Sequence, residues 1–514
     1  MKQIGLVIIL FFSIANIVAQ SNYNPKEAFS QDFYPFPGNE YRSAGGEPGP
    51  RYWQNRADYM INCSLDTALH EVKGNVDIAY SNNSPDNLKF VWLQLDQNIY
   101  KKDSRGTITN SGASARISNE TFTDGLVLAS VSIEYNGKKY NPKYIVTDTR
   151  MQIWLQEAIK PSGGKVKISI SYSFNVPVYG TDRMGQQKTR NGIAQWYPRM
   201  CVYDDVQGWN VLPYLGQGEF YLEYGDFEFW VKAPGNMIVV GSGELLNPAE
   251  CFSPNELANY NAAKNSETTV VIRSAEDVKK SDGLQKKQPI TWKFKIHNAR
   301  DVAWAASKAF VLDGAKINLA AGKKSLALSA YPEESIRKNG WQRSTEMVKG
   351  AIEFYSKNYF EYPYPAAVNV AGVAGGMEYP GIVFCNFREG GGGLWNVTNH
   401  EFGHTWFPMI VGSNERKDAW MDEGFNSFIN DFATKSFDNG EFKDASFFME
   451  SMLTTKWEFG EKMDLLNTAA DVLQVENLGV AAYYKPAKML RMLRNVLLGP
   501  ERFDGAFKEY IRRW

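Results

Sequence analysis

The sequence predicts an α+β chain of several domains, with a β-rich N-terminal domain followed by a mainly helical domain. Three observations support this fold class. The chain has 514 residues, which is more than a single hydrophobic core usually supports. From about residue 56, apolar and polar residues alternate with the period of a half-buried strand. After about residue 320, apolar residues instead recur at the three- and four-residue spacing of helices.

The β-rich domain is predicted at 56–315, after an irregular lead-in at 21–55 that is rich in Pro, Gly, Asn and Tyr. One of its strands shows strict alternation, with apolar residues at every second position: Val166, Ile168, Ile170, Tyr172 and Phe174. The second domain is predicted at 320–514. We expect it to contain a helix over 333–360 and a flexible loop at 390–393, with helices dominating from Trp395 onward.

The first twenty residues predict a secretory signal sequence. Lys2 is followed by an apolar run at 4–18, and Ala19 lies at a suitable cleavage point. The run is too short to span a bilayer comfortably. We therefore predict export to a bacterial periplasm or the extracellular space, with no stable membrane span after the signal is removed.

The overall charge argues against a nucleic-acid partner. The chain has 56 basic and 57 acidic residues, a formal net charge of -1, whereas nucleic-acid binders usually carry a basic excess. Its four cysteines are scattered and lack the close pairing of a cysteine-based zinc site.

The main chemical motif is His400-Glu401-Phe402-Gly403-His404. Residues four apart lie on the same face of a helix, so both imidazoles can bind one metal ion. Glu401 lies beside them, where it can accept a proton from a water that the metal activates. We expect Asn396 or Thr398 to cap the start of this helix.

Glu423 is the predicted third ligand. Eighteen residues separate it from His404, which is enough for one helix to end and a second to return antiparallel. Two imidazoles and one carboxylate leave a fourth tetrahedral position open, as in a catalytic rather than a structural zinc site. The sequence therefore predicts one Zn²⁺ ion held by His400, His404 and Glu423.

With these residues the sequence resembles the gluzincin zinc aminopeptidase family, of the aminopeptidase N and leukotriene hydrolase type. The motif is His-Glu-x-x-His, then eighteen residues, then Glu within Glu-Gly-Phe. The resemblance implies a thermolysin-like catalytic domain after the β-rich domain. It also implies a zinc-dependent aminopeptidase acting on peptides with a free N-terminus.

The resemblance assigns substrate binding to the segment Gly375-Gly376-Met377-Glu378, which is similar to the exopeptidase motif Gly-x-Met-Glu-Asn of the family. A carboxylate on an exposed strand edge can hold the ammonium of a peptide N-terminus, and the glycines let a substrate backbone approach. Tyr379 stands where the family has Asn.

Two further residues are assigned by resemblance. Tyr483 matches the first tyrosine of the family motif Tyr-x-Lys-Gly and would donate a hydrogen bond to the oxyanion of the intermediate, although Pro486 replaces the glycine. Gln195 matches a family glutamine that reaches the substrate amine, and a buried structural role is equally consistent with its surroundings.

Two alternatives remain open at this point. The same zinc site without an effective amine anchor predicts an endopeptidase or an epoxide hydrolase. A non-catalytic peptide-binding protein on a peptidase scaffold is the second alternative. The chain stops at Trp514 within an amphipathic pattern, so we expect the helical domain to be truncated there.

Overall fold

The structure is a computed structural model that describes residues 37–109, 122–178, 183–188, 190–282, 288–372, 374–443 and 464–514. The predicted signal sequence at 1–20 and the first part of the predicted lead-in lie outside these residues. The described chain separates into two units, one ending at Trp53 and one comprising Gln54–Trp514. The described part of the first unit is irregular, with one isolated bridge between Arg42 and Pro48.

The second unit contains all the strands of the described residues. In chain order they are β1 Arg56–Asp66, β2 Glu71–Asn82, β3 Leu88–Gln94, β4 Val127–Tyr135, β5 Lys138–Tyr140, β6 Tyr144–Thr147, β7 Arg150–Ile159, β8 Gly164–Asn175, β9 Gly185–Gln187, β10 Arg190–Ile193, β11 Arg199–Met200, β12 Tyr203–Asp204, β13 Gly208–Trp209, β14 Gly225–Ala233, β15 Ile238–Gly241, β16 Glu244–Leu245, β17 Val270–Arg273, β18 Ile290–Ala299, β19 Trp304–Ser307, β20 Phe310–Asn318, β21 Lys324–Pro332, β22 Ala366–Gly372, β23 Gly376–Tyr379 and β24 Ile382–Asn386.

The α-helices of the described residues concentrate toward the C-terminal end. They are α1 Arg105–Thr109, α2 Pro248–Cys251, α3 Pro254–Ala263, α4 Ala275–Asp282, α5 Ser344–Asn358, α6 Gly391–Gly403, α7 Phe425–Ser436, α8 Lys485–Met492 and α9 Pro500–Arg513. The predicted order of strands followed by helices is confirmed. Among the described residues, no helix has both the length and the apolar character needed to cross a bilayer.

An eight-stranded sheet with the order β16-β18-β14-β1-β2-β8-β4-β5 forms the largest layer of the N-terminal half. Its long strands β1, β2, β8 and β14 alternate between buried and more exposed residues, and the predicted inward residues of β8 are all buried. Two four-stranded sheets accompany it, with the orders β15-β19-β10-β9 and β11-β3-β7-β6. The apolar faces of these long strands meet the core because side chains alternate along a strand.

A six-stranded sheet with the order β17-β20-β21-β22-β24-β23 supports the helices. β21, β22 and β24 are parallel, and β23 is an antiparallel edge strand. The sheet contains strands from both sides of the predicted boundary at 315–320, so this boundary lies within one layer. The domain assignment itself stays a prediction.

Two predicted elements differ from the structure. The helix predicted at 333–360 begins only at Ser344, because the extended Gly340 separates a 3₁₀ turn at 333–335 from a second 3₁₀ turn at 341–343, which leads directly into α5. Of the glycines predicted as a flexible loop, Gly390 is the N-cap of α6 and Gly391 to Gly393 form its first turn. Burial of Leu394 and Trp395 outweighs the poor helix propensity of glycine here.

Candidate metal centre and substrate site

Helix α6 positions His400, Glu401 and His404. It packs over β24 and beside α5 and α7. Asn369 of β22 donates a hydrogen bond to Thr398 Oγ1 at 2.9 Å, which fixes the helix on the sheet. Thr398 and Asn396 lie inside the helix, and Gly390 is its N-cap. The prediction that either residue caps α6 is therefore wrong, because the helix starts earlier.

A π-helical turn at Trp420–Gly424 leads into α7 and positions Glu423. A Cβ on Gly424 would overlap the ring of Pro486, so this glycine lets α7 approach the segment around α8. A Cβ on Gly403 would likewise overlap Asn426 Oδ1. Close approach at these two glycines brings Glu423 opposite the histidines of α6.

Three potential ligand atoms form a nearly equilateral triangle. The Nε2 atoms of His400 and His404 are 3.2 Å apart. Glu423 Oε2 lies 3.2 Å from His400 Nε2 and 3.3 Å from His404 Nε2. The structure thus brings together the three residues that the sequence nominated as metal ligands.

This triangle fits one zinc ion. Tetrahedral ligands at the usual zinc bond lengths of about 2.0–2.1 Å are roughly 3.3–3.4 Å from one another, close to the observed separations. Glu423 Oε2 is buried and accepts no hydrogen bond of normal geometry from the described residues. A buried carboxylate oxygen without a donor is costly unless a cation or proton binds it, so the donor set suits a metal.

The remaining ring nitrogens of the histidines have partners that the motif does not reveal. His400 Nδ1 lies 2.9 Å from Asn430 Oδ1. His404 Nδ1 lies 2.9 Å from the carbonyl oxygen of Phe407 and 2.7 Å from Asp422 Oδ1. Acceptors at Nδ1 favour the tautomer with a free Nε2 lone pair, as metal binding requires. Spacing offered one signal: Asn430 lies seven residues, about two helical turns, after Glu423.

Glu401 is buried beside the triangle. Burial raises the pKa of Glu401 to about 7, although the neighbouring His400 and His404 favour its ionised form. A carboxyl group with a pKa near 7 both accepts and releases protons near neutral pH. Glu401 therefore has the properties of a general base.

Glu378 lies on the edge strand β23, next to the metal triangle. Its Oε1 is 3.7 Å from His404 Nδ1, and the residue is buried. Burial raises the pKa of Glu378 well above the usual carboxyl range, and the charge of Glu219 raises it further. Of the glycines assigned to substrate binding, Gly375 faces open space, whereas a Cβ on Gly376 would overlap the Glu401 carboxylate.

Glu219 is a site residue that the sequence reasoning missed. Carboxylate oxygens of Glu219, Asp422 and Glu423 lie within 4.8 Å of one another. Arg183 forms an ion pair with Glu219 and also donates to Met377 Sδ. Burial tends to raise the pKa of Glu219, but Arg183 outweighs this effect and lowers it.

Residues that follow α6 hold the segment containing Glu219 in place by hydrogen bonds. Arg416 Nε donates to the carbonyl oxygen of Glu219 at 2.9 Å, and Glu415 accepts a hydrogen bond from Phe220 N at 2.6 Å. Residues 415 and 416 follow α6, and Glu219 lies just before β14. These contacts join residues that are far apart in the chain, so no local sequence motif predicts a role for Glu219.

Tyr483 lies against the metal triangle, on a π-helical turn at Gly479–Tyr484 that precedes α8. Its ring stacks on His400 with 5.8 Å between ring centroids. Burial raises the pKa of Tyr483 well above its usual value, and nearby Glu423 raises it further. The hydroxyl therefore stays protonated and available as a hydrogen-bond donor.

Gln195 is buried in the N-terminal half. Its carbonyl oxygen accepts a hydrogen bond from Gln97 Nε2 at 2.9 Å, and its own Nε2 has no hydrogen-bond partner among the described residues. None of its recorded hydrogen bonds reaches the metal triangle or Glu378. Glu219 brings a polar side chain of the N-terminal half to the site, and the substrate-binding role of Gln195 stays a prediction.

Residues 343–514 match the peptidase family M1 domain. This segment contains the metal triangle, Glu401, Glu378 and Tyr483. The resemblance to the gluzincin aminopeptidase family is confirmed by this match together with the aminopeptidases that align with the chain.

Known relatives of the M1 domain carry aminopeptidase names. The chain is 26% identical over 189 residues to mouse endoplasmic reticulum aminopeptidase 1, covering 32% of this chain and 19% of that protein. It is 28% identical over 188 residues to chicken aminopeptidase Ey, covering 32% and 18%. The chain thus spans about a fifth of the length of the curated relatives it matches.

Solved structures resemble a larger part of the fold. The M1 zinc metallopeptidase from Deinococcus radiodurans superposes with a TM-score of 0.56 at 13% identity, covering 89% of this chain and 85% of that one. A mutant of that enzyme bound to a Tyr-Ser-Ala substrate gives a TM-score of 0.57 at 12% identity, covering 89% and 85%. The predicted fold class, a mixed α+β chain with a β-rich N-terminal region followed by a mainly helical C-terminal region, is confirmed.

Proposed function

We propose that this protein is a zinc-dependent aminopeptidase that hydrolyses the first peptide bond of peptides. The observation that carries the proposal is the metal triangle flanked by Glu378 and Glu219. A metal site alone supports general hydrolysis, whereas adjacent carboxylates supply a binding place for a free amine. The aminopeptidase names of the relatives support the same activity.

One zinc ion would be held by His400, His404 and Glu423. When bound, zinc supplies a Lewis acid that polarises a carbonyl group and lowers the pKa of water to about 7. Asn430, Asp422 and the Phe407 carbonyl oxygen keep the two imidazoles oriented through their Nδ1 atoms.

Glu401 moves the proton. Its carboxylate accepts a proton from the attacking water and then donates it to the departing amine. A pKa of about 7 suits both steps. The position of this carboxylate depends on Gly376, because any larger residue there would displace it.

Tyr483 donates a hydrogen bond to the oxyanion that develops on the scissile carbonyl. Its ring is fixed by stacking on His400, so the hydroxyl is oriented before the substrate arrives. A hydroxyl with a raised pKa does not ionise near neutral pH.

Glu378 and Glu219 bind the substrate ammonium. Burial raises the pKa of Glu378 well above its usual range, whereas the ion pair with Arg183 outweighs burial at Glu219 and lowers its pKa. A cation between them favours the ionised form of both. Because both lie beside the metal triangle, binding the amine there limits cleavage to the first peptide bond.

The alternatives predict different products. An endopeptidase or an epoxide hydrolase would not need an amine-binding pair, and the Glu378–Glu219 cluster favours the aminopeptidase. A non-catalytic peptide-binding protein would not need a base, yet Glu401 is present and its pKa is near neutral.

The test is hydrolysis of a panel of aminoacyl-anilides, each measured beside its N-acetylated analogue. We expect cleavage of the free-amine substrates only, and loss of activity with a chelator or with Glu401→Gln. Glu219→Gln should lower kcat/KM at least tenfold, since one charge-assisted bond to the ammonium is lost. Glu244→Gln, which removes an exposed carboxylate, is the matched control.

Equal cleavage of acetylated substrates would contradict the amine-binding role and indicate an endopeptidase. A folded, zinc-loaded protein that cleaves none of the substrates would favour the binding-only alternative.

A further inference from the structure

Asp471 lies in a turn upstream of Tyr483, and its carboxylate binds the main chain of the N-terminal half. Its Oδ1 accepts a hydrogen bond from Gly218 N at 3.0 Å, across 253 residues of sequence. Gly218 immediately precedes Glu219, which the proposed function places on the substrate ammonium. Two distant segments of the chain therefore meet directly beside the amine-binding side chain.

The close approach of Asp471 depends on the glycine at position 218. A Cβ there would lie 2.9 Å from Asp471 Oδ2 and 3.2 Å from Arg416 Cα. Both distances are tighter than ordinary packing allows, and the Arg416 Cα belongs to a main chain that cannot turn aside as a flexible side chain can. The absence of a side chain at Gly218 thus lets Asp471 and Arg416 pack against the same short segment.

Hydrogen bonds hold the main chain at three consecutive residues around Glu219. Asp471 binds the N–H of the residue before it. Arg416 Nε donates to the carbonyl oxygen of Glu219 itself at 2.9 Å. Glu415 accepts a hydrogen bond from Phe220 N, the residue after it, at 2.6 Å. Because the main chain is bound on both sides, the direction of the Glu219 side chain is fixed.

The side chain of Glu219 presents one oxygen to the site. Arg183 forms an ion pair with Oε1. Oε2 is buried and has no hydrogen-bond partner among the described residues. A buried carboxylate oxygen requires a donor, and under the proposed function the substrate ammonium supplies it. The direction of this oxygen depends on the main chain that Asp471 and its neighbours hold.

The turn that contains Asp471 is attached to the helical C-terminal region. The preceding residue donates its main-chain N–H to the carbonyl oxygen of Arg416 at 3.3 Å. Its side chain belongs to a small buried apolar cluster, against which Tyr483 packs. The members of this cluster are Ala419, Ala470 and Ala482. The same packing therefore supports both the oxyanion donor and the turn that holds the amine-binding segment.

From these contacts we infer that Asp471 is a positioning residue, which holds Glu219 at the amine-binding site by binding the main chain in front of it. The inference rests on the proposed function, because it assigns Asp471 a part in recognising the substrate amine. Within the described part of the chain, none of the recorded contacts of Asp471 is to the metal triangle or to Glu401. Its loss should therefore weaken amine recognition and leave the hydrolytic groups in place.

The experiment measures binding of leucine hydroxamate and its N-acetylated analogue to the zinc-loaded chain by calorimetry. Both ligands offer a metal-binding hydroxamate, and only the first offers a free amine. Asp471→Ala should raise the dissociation constant of the free-amine ligand roughly five- to twentyfold, the effect of one lost hydrogen bond to a charged group. The dissociation constant of the acetylated ligand should change less than about twofold, because no amine contact is lost.

Kinetics provide a second readout. Asp471→Ala should raise KM for aminoacyl-anilides by a similar factor and change kcat less than about twofold, since binding is lost and the reacting groups stay. In a Glu219→Ala background, the same substitution should add less than about twofold to the loss in affinity, because both changes remove one interaction.

Two further variants distinguish positioning from general damage. Asp471→Asn retains a side-chain oxygen that accepts from Gly218 N, so its loss in affinity should stay below about threefold. Gly218→Ala should resemble Asp471→Ala, since the added Cβ displaces the carboxylate. Zinc content and melting temperature verify that each variant is folded and loaded.

Asp66→Ala is the matched control. The Asp66 carboxylate also accepts main-chain hydrogen bonds, from Ala68 N at 2.8 Å and Leu69 N at 3.0 Å, in the turn between β1 and β2. Its removal should leave the affinity for both hydroxamates unchanged.

An unchanged affinity for leucine hydroxamate in Asp471→Ala would overturn the inference. So would an equal loss for the acetylated ligand, or losses that add fully in the double variant. If the wild type prefers the free amine yet cleaves no anilide, the proposed function fails, while the binding data still decide the role of Asp471. A wild type that binds both hydroxamates equally would refute the amine site and the inference together.

Discussion

At the scale of single residues, the position of the Glu401 carboxylate depends on the absence of a side chain at Gly376. A glycine at 376 leaves the space that the Glu401 carboxylate occupies. The sequence suggested that this glycine admits a substrate backbone, and the structure adds a second reason for it. The same residue thus connects the edge strand β23 with the general base.

Gly376→Ala should lower kcat roughly 10- to 100-fold, because displacing a catalytic group by about 1 Å has effects of that size. The thermal midpoint should change little, since the displaced atom is the end of a side chain. Steady-state kinetics and a melting curve measure both effects. Gly372→Ala is the matched control, because its Cβ would meet only ordinary contacts at 3.7 Å. Equal losses in both variants would contradict the explanation.

Asn430→Ala should weaken zinc binding roughly 10- to 100-fold, since His400 loses the acceptor that orients its ring. Competition with a chromophoric chelator measures the affinity. Asn358→Ala, which removes a helix-surface amide bonded to the Phe354 carbonyl, should leave it unchanged. An unaltered affinity in Asn430→Ala would show that His400 is oriented by other contacts.

Residue types at fixed spacing were sufficient to nominate the metal triangle. His400 and His404 lie at the end of α6 and Glu423 on the π-helical turn before α7, so a short stretch of sequence contains all three. Glu219 could not be found in this way. Its place next to Glu423 results from the contacts of Arg183 and Arg416, which join segments far apart in the chain.

At the scale of elements, the approach of α7 to the segment around α8 depends on Gly424 and Pro486. Pro486 stands where the family motif has glycine. Its ring occupies the space that a side chain at position 424 would need. The proline falls in the first turn of α8. The departure from the family motif is therefore compatible with the position of Tyr483.

The buried carboxyl group of Glu223 makes the free energy of unfolding depend on pH. Burial raises the pKa of Glu223 to about 8 in the folded protein, from about 4.3 in an unfolded chain. The folded state therefore holds the proton more tightly. The associated stabilisation is fully present below pH 4 and is lost as pH rises through 8.

Glu223→Gln should remove this dependence, because the amide oxygen still accepts the hydrogen bond from Tyr203 N. The wild-type free energy of unfolding should fall relative to the variant between pH 5 and 9, by on the order of a few kcal/mol. Urea denaturation at several pH values measures the difference. A difference that is constant with pH would contradict the raised pKa.

Strands were easier to predict than helix boundaries. Alternation located β8, whose predicted inward residues are all buried. The predicted start of α6 was wrong, because the low helix propensity of glycine is a weak, local effect. Contacts such as the stacking of Trp395 on Phe437, with ring centroids 3.9 Å apart, decided the conformation.

At the scale of the unit Gln54–Trp514, zinc binding and folding should be coupled. The ligands lie on two helical segments that are joined by a connecting loop, and a ligand that binds only the folded state stabilises it. Removing zinc with a chelator should lower the thermal midpoint by roughly 3–5 °C for a chain of this size. Differential scanning calorimetry measures the shift, and added zinc should reverse it.

His404→Ala provides the control for zinc removal. Its thermal midpoint should not respond to the chelator, since one ligand is already missing. A wild-type midpoint that is insensitive to the chelator, in a protein shown to have lost its metal, would contradict the coupling.

The four cysteines are all free and buried, and they are distributed over separate elements. Cys63 lies in β1, Cys251 in α2 and Cys385 in β24, the strand beneath the metal-binding helix. Burial raises the pKa of the Cys385 thiol well above its usual value, which slows its reaction with thiol reagents. The native chain therefore carries its own set of reporters. The labelling rate of each thiol would measure how often the region around it opens. Zinc should slow the labelling of Cys385 more than that of Cys63.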